Sequence, residues 1–231
     1  MLKEAGFTLI EVAIVVVVTA LLLGSLLGPL SVRIEQADRQ ETQALLDEIK
    51  EALYGFAVTN GRLPCPDTDG DGHEDRGGSP NYPCSAPSFF YLPSGDLGVA
   101  RSDAWGRAFW YGVTSDFADE DPATVGPGGC VATSATTTIA LCSVGNICVK
   151  DSAGAGTCNV GRGIPAVIIS YGANGGEPPT PPDETENRPP SDVNFVSTGY
   201  RQDPVNQFDD LVVWISPHIL KNPMVAAGRL P

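Results

Sequence analysis

The chain is apolar from Val12 to Leu30. After Pro29 the pattern changes, and Ile34, Ala37, Leu45, Ile49, Leu53 and Phe56 recur at helical spacing among Glu35, Arg39, Glu41, Asp47 and Glu48. The first stretch is apolar all round and about as long as a bilayer is thick; the second places its apolar side chains on one stripe. Together they predict a single helix from near Phe7 to near Thr59, membrane-embedded over residues 7–30 and amphipathic over residues 31–60. Asn60-Gly61 followed by Pro64 predicts its end, because glycine accepts the left-handed conformation of a helix C-cap and proline cannot continue a helix. Gly28 and Pro29 predict a bend or a locally melted turn, since proline removes one backbone hydrogen bond and crowds the turn before it.

Beyond residue 61 the long helical periods stop and short β-branched runs take over, punctuated by Gly and Pro. Ala108–Val113, Thr136–Cys142, Ile147–Lys150, Ala166–Tyr171 and Asp210–Ser216 are the predicted strands. Residues 122–163 are rich in small residues and read as pinned loops and hairpins, and residues 174–206 read as a long polar loop. The expected fold is therefore α+β, with a long N-terminal helix packed on an antiparallel sheet in a globular head at 61–231.

One residue breaks the apolar pattern at its start. A carboxylate in a hydrocarbon-length helix costs about 2.5 to 3.5 kcal/mol on insertion scales and marks function, so Glu11 requires a partner. Ahead of it stand a short hydrophilic leader and the junction Gly6-Phe7. A secretory signal would have a shorter apolar core with its cleavage site after it, and a plain anchor would have no use for Glu11. Met1 to Glu11 resembles the class III signal of type IV prepilins and type II secretion pseudopilins. The resemblance implies a leader at 1–6, cutting between Gly6 and Phe7 by a prepilin peptidase, and N-methylation of Phe7. It also implies that Glu11 pairs with the N-terminal amine of a neighbouring subunit. The pairing is physically reasonable, because an ammonium and a carboxylate each relieve the other's burial in low dielectric.

Composition narrows the partners and the compartment. A formal net charge of -14 and a pI near 4.3 exclude the cationic footprint that nucleic-acid binding needs. All six cysteines, Cys65, Cys84, Cys130, Cys142, Cys148 and Cys158, follow the apolar segment, which predicts disulfides and an oxidising compartment for the head. A zinc site is disfavoured by the lack of C-x-x-C and by having only His73 and His218. Cys65 and Cys84 bracket one acidic loop and are the preferred pair, while the other four allow three pairings.

Two further patches resemble pseudopilins. Asp103-Ala104-Trp105-Gly106 is similar to their Asp-Pro-Trp-Gly stretch, with Ala104 in the proline position. Ser170-Tyr171-Gly172-Ala173-Asn174-Gly175 is similar to the Ser-x-Gly-Ala-Asp-Gly turn that leads into their calcium loop, with Asn174 replacing the acid. That likeness places calcium ligands loosely among Asp183, Glu186, Asp192, Asp209 and Asp210. The residues themselves point to an earlier loop as well. Asp67, Asp69, Asp71 and Asp75, spaced around Gly70 and Gly72, form the first half of an EF-hand-like pattern, with Gly78 where the bidentate glutamate would stand. Structural calcium is the expected cofactor, and a solvated acidic turn is the competing reading.

No catalytic motif accompanies these features. The chain lacks G-x-S-x-G, H-E-x-x-H and a glycine-rich phosphate loop, and adjacent acids such as Asp209 and Asp210 point to opposite faces of a strand. The expected function is that of a filament subunit and not an enzyme. Its partners would be other pilin or pseudopilin subunits, the prepilin peptidase and an inner-membrane assembly platform. Its location would be the inner membrane with the head in the periplasm, then a periplasmic pseudopilus or an extracellular pilus. A minor pilin whose enlarged head binds a surface or ligand is the alternative.

Overall fold

The structure is a computed structural model that describes residues 8–77, 84, 89–118, 139–176, 181–189, 193–203 and 205–230, with backbone only for 23–31. Gly6, Phe7, Cys130 and Asp192 lie outside the described residues. The chain divides into two compact units, Met1–Gln40 and Glu41–Pro231. Helix α1 runs over Leu9–Asn60, 52 residues, within one residue of the expected end. Gly61 closes it in the left-handed region at φ 75°, its N–H donating to Ala57 O at 2.8 Å. The helix is not melted at Gly28-Pro29. One lost hydrogen bond is affordable where so many turns flank it. Among the described residues no helix is long and apolar enough to cross a membrane.

Four strands, β1 (Phe89–Tyr91), β2 (Trp110–Val113), β5 (Ala166–Ser170) and β7 (Leu211–Ile215), form an antiparallel sheet in the order β1-β2-β5-β7. Three others, β3 (Ile147–Lys150), β4 (Gly161–Ile164) and β6 (Asn194–Val196), form a second sheet in the order β4-β3-β6. The four-stranded sheet is the antiparallel sheet expected; the second sheet adds a parallel pair, β3 and β6, with Val149 opposite Phe195. Short helices α2 (Ser94–Leu97), α3 (Pro182–Glu186) and α4 (Pro217–Ala226) complete the head.

The layers follow from side-chain alternation. Leu46, Ile49, Leu53 and Ala57 on one stripe of α1 are fully buried, and share a core with Phe109, Tyr111, Val113, Ala166, Ile168 and Ile215. The intervening Val167 and Ile169 of β5 turn the other way and pack with Phe89, Ile147, Val149, Ile164 and Phe195. Strand β5 is thus buried at all five positions, as a strand covered on both faces must be. The four-stranded sheet is the middle layer, with α1 and α4 on one side and the second sheet on the other. Gly112 makes this possible, because a Cβ there would stand 2.9 Å from the Phe89 ring.

Of the expected strands, β2, β3, β5 and β7 form. Residues 136–138 of the fifth lie outside the described residues, and Ile139–Cys142 is a turn rather than a strand. The Ser143 hydroxyl explains that, accepting from Ala140 N at 3.0 Å and so competing with a ladder. The stretch 174–206 contains α3 and β6 and is not one loop. Cysteine pairing is partly settled. Cys65–Cys84 forms as expected, and Cys148–Cys158 forms among the three open alternatives. Cys142 is disulfide-bonded as well. Closing a loop of 19 residues at Cys65–Cys84 contributes about 3 kcal/mol by chain entropy.

Candidate functional site

At the N-terminus the first helical turn is fixed by Thr8 and Glu11. Glu11 Oε2 accepts from Thr8 N at 2.8 Å and from Thr8 Oγ1 at 2.7 Å. This is the reciprocal geometry of a capping box, which satisfies amides that helix geometry leaves unpaired. Beyond it Leu9, Ile10, Val12 and Ile14 to Val18 are exposed, as are Leu21 and Leu22. A contiguous apolar surface of this kind marks a membrane or partner interface.

The acidic turn at 67–75 brings Asp67, Asp69 and Asp71 together but not Asp75. Asp67 is buried and already engaged: its two oxygens accept from Gly70 N at 2.6 Å and Gly72 N at 2.8 Å. Asp69 and Asp71 accept from Asp71 N and His73 N, so each acid braces the turn two residues ahead. Asp75 accepts from Thr68 N and Thr68 Oγ1, and these bonds hold its carboxyl below the ordinary value. Glu74 forms a two-pronged ion pair with Arg62 at 2.7 and 2.6 Å. These bonds describe a turn that supports itself.

His73 Nδ1 lies 2.8 Å from Asp96 Oδ1. The hydrogen bond to Asp96, then its charge and those of Asp71 and Asp67, raise the imidazole pKa against the opposing effect of burial. A histidine raised on folding adds stability that is complete below about 6.5, its unfolded value, and is lost as pH rises through the folded value. In an NMR titration His73 is therefore expected above 6.5, and Asp96→Asn should lower it; an unchanged value would remove Asp96 as the cause.

The two patches singled out by resemblance meet in space. Asp103 is buried, and its Oδ1 accepts from Trp105 N at 3.0 Å and Arg107 N at 2.9 Å, tying the turn that Gly106 completes at φ 76°. Its Oδ2 accepts from Ser170 Oγ at 2.6 Å, and Arg107 Nη1 donates to Gly172 O. One carboxylate thus joins the turn before β2 to the end of β5. Asp103→Ala removes the acceptor of three donors, one of them the fully buried Ser170 hydroxyl, and is expected to cost about 2 kcal/mol, read as a lowered urea midpoint. A loss below about 1 kcal/mol would mean that water replaces the carboxylate.

A second acid cluster lies beside that junction. Glu184 of α3 and Asp209 and Asp210 ahead of β7 are all buried, and one carboxylate oxygen from each lies within 4.8 Å of the others. Asn174 Nδ2 donates to both oxygens of Glu184, at 3.1 and 3.0 Å. Asp209 N donates to Glu184 Oε1 at 3.1 Å, and Asn174 N to Asp209 Oδ2 at 3.0 Å. Asn187, itself fully buried, donates to Asp210 Oδ2 at 2.8 Å and clamps Val196 of β6 through both its amide O and N. Asp210 Oδ1 is buried without a hydrogen-bond partner.

Burial pushes Asp210 up to about 8, helped by the charges of Glu184 and Asp209 and opposed by Asn187 and Arg188. Gly172 is what lets the 171–176 turn close on this cluster. At φ 58° a Cβ there would meet Asp209 O at 2.6 Å. The donor set is entirely hard oxygen with no histidine or cysteine, which fits calcium better than zinc.

Of the residues expected here, Asp209 and Asp210 are in the cluster. Asp183 instead accepts from Ala153 N and pairs with Arg201 at 2.6 Å, and Glu186 pairs with Lys150 at 3.5 Å. Glu184 was missed because the proline-rich stretch reads as loop. The available signal was Pro181-Pro182 before Asp-Glu-Thr-Glu, which has proline at N1 and acids in a first helical turn.

Residues 1–27 match the family model described as the prokaryotic N-terminal methylation motif. No curated protein and no solved structure matches the chain. The motif defines the class of the N-terminus, and it agrees with the resemblance of the leader to type IV prepilins and pseudopilins. At its N-terminus the chain is pilin-like, a segment that implies processing by a prepilin peptidase and assembly with other pilin subunits.

Proposed function

We propose that the chain is a structural subunit of a type IV pilus-like or type II secretion filament, a minor pilin or pseudopilin, and not an enzyme. Residues 7–30 hold the precursor in the inner membrane with the head in the periplasm. An inner-membrane assembly platform then draws the processed chain into a periplasmic pseudopilus or an extracellular pilus. The observation that carries this reading is the methylation motif at 1–27 leading into α1, whose first turns bear exposed apolar side chains. Such a surface trades lipid for the apolar stalks of neighbouring subunits at little cost, since one apolar environment replaces another. The junction of the Asp103 turn with the Ser170 turn, both similar to pseudopilin patches, supports the secretion filament as the destination. Calcium in this reading is a structural component of the head.

Intact-mass and N-terminal analysis of the native protein tests the reading. A chain beginning at N-methylated Phe7 supports it. A chain retaining Met1, or cut after the apolar run, makes it an ordinary anchored or secreted domain.

A further inference from the structure

We propose that the outer edge of β7, with the cleft beside it, is a docking site for an extended β-branched strand of a partner protein, one that carries a carboxylate to meet Lys50. The incoming strand continues the four-stranded sheet beyond β7. The inference concerns the head alone and does not rest on the filament reading.

The two edges of this sheet differ. At the β1 edge the chain covers itself: Asp67 N donates to Tyr91 O at 3.0 Å and Tyr91 N to Asp67 O at 3.2 Å. At the β7 edge Leu211–Ile215 pairs with β5, from Leu211 opposite Ser170 to Ile215 opposite Ala166. Among the described residues no further backbone hydrogen bond reaches this strand. An antiparallel strand turns its N–H and C=O groups to either side in alternation, so those of alternate β7 residues point outward without a partner. Exposed edges are ordinarily blunted by proline, lysine or a bulge. Leu-Val-Val-Trp-Ile has neither residue, and its register runs without a shift.

The space beside the edge fits such a strand. A cleft of about 360 Å³ is lined by Val212, Val213 and Trp214 of β7, Lys50 and Tyr54 of α1, and Ile219 of α4. The three β7 side chains are half-buried and Ile219 is 56% exposed. Val213 packs with the core under α1, whereas Val212 and Trp214 pack with the core under the second sheet, as alternation along a strand requires. The cleft thus offers apolar contacts on both faces of the sheet, which is what β-branched side chains of an added strand need. Charge selects the occupant further. Among the described residues lining the cleft Lys50 alone is charged. Its ammonium lies 3.8 Å from Asp47 on the same helix, an acid whose side chain is 62% exposed, and such a surface pair is worth little. The ammonium is therefore available to a carboxylate on the incoming strand. A second copy of the chain would bring a net charge of -14 against its own equal, which disfavours self-pairing.

The test uses the full chain in detergent micelles. The probe is the fluorescein-labelled peptide acetyl-Asp-Thr-Val-Thr-Val-Thr-Asp-amide, whose two ends offer a carboxylate in either strand direction, read by fluorescence anisotropy. The peptide is expected to bind. N-methylation of one alternate set of its amides, and not of the other, should weaken it at least about tenfold, because main-chain hydrogen bonds on one side carry the affinity. Lysine in place of both aspartates should weaken it at least about fivefold, the upper end for an exposed ion pair, and Lys50→Glu should reverse that preference. Val213→Lys places a charge on the edge while its stem stays against the core, and it should abolish binding with the thermal midpoint retained. Lys50→Glu, on the surface of α1, keeps the test open should Val213→Lys fail to fold. No binding at millimolar peptide, equal weakening by the two methylated sets, or an unchanged preference in Lys50→Glu overturns the proposal. So does a concentration-dependent dimer of the chain that Val213→Lys abolishes, because the edge would then belong to a second copy.

Discussion

Gly6→Asp is expected to leave the chain uncut in the membrane. The matched motif spans residues 1–27, and in the proposed processing the bond that is cut is the junction Gly6-Phe7, just before the apolar run. Aspartate adds a side chain where glycine has none and brings a charge to that junction. The added carboxylate is expected to slow cutting at least about tenfold, which at 1.36 kcal/mol per tenfold in rate is a barrier raised by about 1.4 kcal/mol. Gly6→Ala adds one methyl group and no charge, so its effect should be mild or partial. Intact mass of the membrane fraction distinguishes precursor from mature chain. Full processing of the aspartate variant would sink the assignment of this junction, and assembly into any filament should fail along with cutting.

Much of the fold was legible because strong periodicities needed no tertiary context. The apolar stripe at Ile49 and Leu53 became the buried face of α1, and Asn60-Gly61 became its cap. Strands β3, β5 and β7 carry enough β-branched residues to declare themselves. What escaped was short or glycine-bearing. Strand β4 reads Gly-Arg-Gly-Ile and buries only Ile164, so it has no alternation to detect. Strand β6 exists because Val149 and Phe195 pair in parallel and Asn187 holds Val196, which are long-range facts. The same limit applied to the acids. Asp67, Asp69, Asp71 and Asp75 are spaced like ligands, yet Asp67 and Asp75 serve their own turn. Glu184 has no such spacing and meets Asp209 only through folding. Periodic spacing reveals local geometry, and burial reveals which acids lack compensation.

Glu11 separates two roles that a substitution can test one at a time. In the structure it caps α1 by accepting from Thr8, a role that a neutral amide oxygen could also fill. In the proposed filament its charge meets the amine of a neighbour's Phe7, and breaking a buried ion pair by removing one partner costs about 3–5 kcal/mol. Glu11→Gln keeps the cap and removes the charge, whereas Glu11→Val removes both. Membrane insertion and cutting should proceed in each, because the apolar run is intact and the junction untouched. Incorporation into filaments should fall about 100-fold or more in both variants, measured as the ratio of filament to membrane protein on immunoblots. Failure of the valine variant alone would assign Glu11 to the cap. Normal incorporation of the glutamine variant would remove charge pairing from the assembly mechanism, and the apolar surface of α1 would then have to hold neighbours in register without it.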